Sequence, residues 1–148
     1  MKTLRFILAS IFLLFAAQSM AVAQSTNITE TFKKHFNETV QQVQQTENAD
    51  EKRFILNESF TKMLNSIDRI ESMATLSEDE NMLLSAYKND LLEKKNELNG
   101  LDGFDRVLDE DLDDFCNFSQ DLMEQANRTV TIGVSTVLLI LIILLLVA

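Results

Sequence analysis

Proline is absent from this chain of 148 residues, and glycine occurs only at positions 100, 103 and 133. Proline lacks the backbone donor a helix needs, and glycine gives up the most conformational freedom when it joins one. A chain almost without either residue favours long helices whose ends are set by polar caps. The fold expected is therefore all-α.

Apolar spacing agrees. Ile28, Phe32, Phe36, Val40 and Val43 recur at steps of four and three, and Asn27 followed by Glu30 resembles a capping box. Asn48 and Glu51 repeat that pattern before Leu56, Phe60, Met63, Ile67, Ile70 and Ala74, an a/d seam that Phe54 and Leu64 are expected to widen. Ser77 and Glu80 mark the clearest helix start. The third helix carries Leu84, Tyr87, Leu91 and Leu98 on one face, broadened by Leu83 and Leu92, and closes at Asn99-Gly100. After a loop at 100–108, a fourth helix begins near Asp109 with Leu112, Phe115, Leu122 and Ala126 on one side. The architecture expected is a small antiparallel bundle: three helices, and a fourth that continues as a stalk into the C-terminal segment.

That segment, 130–148, is uncharged and largely apolar. As one helix it would span roughly 28 Å, close to the thickness of a bilayer core. The sequence thus predicts a single-pass transmembrane anchor. At the other end, Lys2 and Arg5 precede an apolar run at 6–17 and the small residues Ala21 and Ala23, the pattern of a signal peptide cleaved after residue 23. The domains expected are a signal at 1–23, an acidic helical domain at 24–129 held outside the cytoplasm in a bacterial cell envelope, and the membrane segment at 130–148. The flanking base, Arg128, lies on the wrong side for a stop-transfer segment. A processed glycolipid-anchor signal is the alternative, and the sequons at Asn27, Asn37, Asn57, Asn117 and Asn127 suit such a surface protein.

Without Lys2 and Arg5, 11 basic residues face 23 acidic ones, a formal charge of −12. Such a field repels nucleic acid and anionic lipid and favours basic partners or cations. Cys116 is the single cysteine, so no internal disulfide forms; burial as a small hydrophobe is expected, and pairing between chains is the alternative. His35 has no second ligand at metal-binding spacing.

Catalytic and cofactor motifs are missing from the sequence: there is no Ser/His/Asp signature, no His pair and no phosphate-cradling glycine loop, and Cys116 has no histidine near it in sequence. No cofactor is expected. The function expected is non-enzymatic, a tethered scaffold or partner-binding module. Thr129, Gly133 and Thr136 supply small residues on one face of the continuous helix, an association face for a homo-oligomer or small membrane assembly. The alternative is a calcium- or ligand-binding bundle in which Asp102, Asp105, Asp109 and Asp111, within the acidic stretch 102–114, offer hard oxygen donors. That stretch lacks the spacing of an EF-hand loop, and its acids equally suit the positive end of the fourth helix.

Overall fold

The computed structural model describes residues 26–129, 133–134 and 136–147. A two-residue strand β1 (Thr26–Asn27) leads into α1 (Ile28–Gln45), α2 (Ala49–Met73) and α3 (Glu78–Asn99). A 3-10 turn (Asp109–Asp111) opens α4 (Leu112–Thr129), β2 (Gly133–Val134) follows, and α5 (Thr136–Val147) is the last element. The protein is all-helical, with five helices among the described residues. Residues 1–23, where the sequence leads one to expect a signal peptide, lie outside them.

The caps act where proline and glycine are scarce. Asn48 Oδ1 accepts from the Glu51 amide at 3.0 Å and starts α2. At α3 the exchange is reciprocal: Ser77 Oγ accepts from the Glu80 amide at 3.3 Å, and Glu80 Oε2 accepts from the Ser77 amide at 2.9 Å. Gly100 ends α3 at φ 66, a left-handed conformation that costs glycine nothing. A Cβ there would also stand 2.8 Å from Arg106 Cβ, so this turn needs glycine twice over.

The core follows the apolar stripes. Phe32 and Phe36 of α1, Phe60, Met63 and Ile67 of α2, Leu84, Tyr87 and Leu91 of α3, and Leu112 and Cys116 of α4 are all buried. Phe36 and Phe60 meet at 5.5 Å between ring centroids, and Phe60 and Phe115 pack in a T-shaped arrangement at 6.3 Å. α1 packs against α4 and α2, and α2 in turn receives α3 and α5. Phe54, expected to widen the α2 seam, instead faces solvent at 63 % exposure; Leu83 and Leu92 on α3 are also exposed.

The C-terminal segment corrects the sequence expectation. No helix among the described residues is long and apolar enough to cross a membrane. α5 has 12 residues and a length of about 18 Å, against the roughly 30 Å of a bilayer core. It does not extend α4 either. The chain pairs Gly133–Val134 antiparallel with Thr26–Asn27, and α5 then lies beside α2. The stalk and the single-pass anchor are thereby replaced by a fifth packed helix, and the location inferred from that anchor falls with it. The physical reason stands in the sequence TVTIGVST at 129–136, where β-branched residues, glycine and serine all have weak helix propensity.

Candidate interaction surfaces

The acidic end is organised by a base. Arg53, in the first turns of α2, is 8 % exposed and reaches three oxygens of different segments. Its Nη1 donates to the Leu98 carbonyl, and its Nη2 donates to the Val107 carbonyl and to Asp109 Oδ1, both at 2.7 Å. One guanidinium thus ties the end of α3, the end of the loop and the start of α4 to α2. Its fixed fork of donors suits such a junction better than the point charge of lysine. Lys52 adds a second link, 2.6 Å from Asp113. The hydrogen bond from Arg53 holds the Asp109 carboxyl below its ordinary range, against a smaller opposing effect of desolvation.

The four aspartates singled out as cation donors are dispersed over different tasks. Asp102 sits at φ 59 and accepts from Asn96 Nδ2 at 3.2 Å, while Asp109 is engaged by Arg53. Asp105 and Asp111 border a shallow groove of about 430 Å³ beside the loop. Among the described residues, no group of three histidine, cysteine, aspartate or glutamate side chains is arranged to hold a metal ion.

The face expected from Thr129, Gly133 and Thr136 is divided among three elements: the end of α4, β2 and the start of α5. These positions do not share one helix. α5 carries a different pattern. Leu138, Ile142 and Leu146 are buried on one side, whereas Ile140, Ile143, Leu144 and Val147 are 53 %, 42 %, 62 % and 76 % exposed. The two sets fall on opposite faces because four-residue steps keep a helical stripe in line.

A polar network that sequence spacing did not reveal joins α1 to α2. Ser59 Oγ lies 3.2 Å from His35 Nε2 and accepts from Thr39 Oγ1 at 2.8 Å. Ser59 and Thr39 are buried. Burial, with Lys62 nearby, lowers the His35 pKa from its usual value of 6.5, and Glu38 opposes that shift. The ring contact that the described residues supply is the Ser59 hydroxyl, with no carboxylate hydrogen-bonded to the ring among them. The one available signal was that Ser59 breaks the apolar face of α2 next to Phe60 while Thr39 and His35 stand one turn apart on α1.

Cys116 is buried, and desolvation pushes its thiol up to about 12, reinforced by Asp113 and opposed by Lys52. Such a thiol is protonated and inert at neutral pH. Tyr87, also buried, donates to Met123 Sδ at 2.9 Å and stacks on Phe32 at 6.0 Å. Comparison with protein-family models, curated proteins and solved structures finds no match to this chain.

Proposed function

We propose that this chain is a non-catalytic helical interaction module that associates with itself through the outer face of α5. The observation that carries this reading is the row Ile140, Ile143, Leu144 and Val147, exposed on a helix with no charged residue. Burying a large aliphatic side chain contributes roughly 1.5–3 kcal/mol, so a second copy on this row has a substantial apolar gain available. Phe54, which borders the same cleft as Leu146 and Val147, extends the apolar surface onto α2.

Charge selects the partner. All 23 acidic residues precede residue 125, so two copies brought together elsewhere would set acid against acid. α5 is an element at which they can meet without that repulsion, and an apolar surface complements its own copy. The network of His35, Ser59 and Thr39 has a structural role in this account, tying α1 to α2 beneath the end of α5.

Sedimentation equilibrium on the full chain tests the proposal. The wild-type chain is expected to sediment as an oligomer at micromolar concentration, and the Ile140→Glu/Leu144→Glu double variant as a monomer with unchanged helical content. A monomeric wild type, or a double variant with the wild-type mass, would overturn it.

A further inference from the structure

The groove beside the 100–108 loop has a different chemistry from α5. Phe115 and Val107 line it, and Phe118 and Leu108, each 59 % exposed, border it from α4 and from the loop. These two large apolar side chains stand outside the core, although the core continues directly beneath them through Phe115, which is 7 % exposed.

The rim is acidic. Asp105, Asp111 and Asp114 border the groove with Arg106 as the opposing base. Among the described residues no ion pair neutralises any of these three aspartates. An aromatic face here already accommodates a cation: Lys94 Nζ sits 4.8 Å from the centre of the Phe118 ring and 6.0 Å from that of Phe115. The ring quadrupole attracts such a charge, and a guanidinium stacks on it as well.

We propose that this groove receives a basic amphipathic segment of a protein partner. The segment's apolar residues would cover Phe118 and Leu108, and its lysine or arginine residues would face Asp105, Asp111 and Asp114. This is the helix-in-groove mode of recognition, with charge setting orientation and encounter rate and the apolar contact supplying affinity. The same acids disfavour a second copy of this acidic chain, an anionic lipid surface and nucleic acid as occupants. The groove is distinct from the α5 face, so either proposal can fail without the other.

The test uses the full-length protein and a fluorescent peptide of leucine and lysine at helical spacing, with a leucine–glutamate peptide of the same pattern as its counterpart. Fluorescence anisotropy is expected to show saturable binding of the first and none of the second. Phe118→Ser and, independently, Leu108→Ser should each weaken binding about tenfold with the circular dichroism spectrum unchanged. Asp111→Asn/Asp114→Asn should weaken it by about tenfold and flatten its salt dependence. Glu78→Gln/Asp79→Asn, which removes equal charge at the other end of α3, should leave it within about twofold. Binding insensitive to both serine variants, or equally weakened by the two charge-removing pairs, would overturn the proposal. So would equal binding of the glutamate peptide, or a wild-type oligomer that Phe118→Ser dissociates, since the groove would then hold a second copy.

Discussion

α3 and α5 both pack on α2, and they solve the problem of being a surface helix in opposite ways. α3 is amphipathic. It buries Leu84, Tyr87, Leu91 and Leu98, and its outward residues include charges that reach back to α2. Lys88 lies 2.7 Å from both Asp68 and Glu71, and Asn99 Nδ2 donates to Asn57 Oδ1 at 3.1 Å. Those polar links fix its register. α5 has no charged side chain with which to do the same, and both of its faces are apolar. An amphipathic helix completes its burial within one chain. α5, hydrophobic all round, buries one face on α2 and leaves Ile140, Ile143, Leu144 and Val147 exposed, which is the row the proposed self-association would cover.

The comparison can be broken at its strongest point by truncating a buried aliphatic residue on each helix. Leu91→Ala is expected to cost about 2–5 kcal/mol in urea unfolding. Ile142→Ala, fully buried on α5, should cost a similar amount if α5 belongs to the same cooperative unit. A loss for Leu91→Ala alone would show that α5 opens separately from the bundle. The next effect in size tests the junction that carries α3 into α4. Arg53→Met removes the donor from the Leu98 and Val107 carbonyls and should cost about 1–3 kcal/mol, read as a lowered urea midpoint without a changed slope.

Ser77→Ala removes half of the reciprocal cap that α3 has, and is expected to cost about 1 kcal/mol in thermal or urea unfolding. The pH dependence is smaller and touches the α5 side. His35 lines the cleft beneath Leu146 and Val147, and its pKa is lowered in the fold. As pH falls below about 6.5 the unfolded chain takes up this proton before the folded one does, so stability must fall with it. His35→Asn should flatten unfolding free energy between about pH 7 and pH 5, leaving only the carboxylate titrations below. An unchanged slope in the variant would assign the pH dependence to other groups.

Much of the bundle was legible in the chain because each signal was local. The stripes from Ile28 to Val43 and from Leu56 to Ile70 are buried as their periodicity required, and the Ser77–Glu80 cap depends on residues within one helical turn. The candidate surfaces were less legible. Asp102, Asp105, Asp109 and Asp111 are close in sequence, yet Arg53, 56 residues away from Asp109, decides what one of them does. Phe118 lies off the stripe of Leu112, Phe115, Leu122 and Ala126 and is exposed accordingly, but that it shares a groove with Leu108 and Val107 of the loop follows only from the fold.

Residue chemistry alone determined that this chain is helical, where most helices begin and end, and which stripes face inward. Caps, breakers and 3.6-residue periodicity act over a turn or two, so no distant residue is needed to set them. The tertiary structure decided the fate of the C-terminal segment and the use of the charges. An uncharged run is equally apolar whether it enters a bilayer or lies on another helix, and its hydropathy cannot distinguish the two. The weak helix formers at 129–136, the pairing of Gly133–Val134 with Thr26–Asn27, and the place for α5 on α2 together settle it as a short packed helix. Burial depends on what stands opposite, and only the folded chain supplies that.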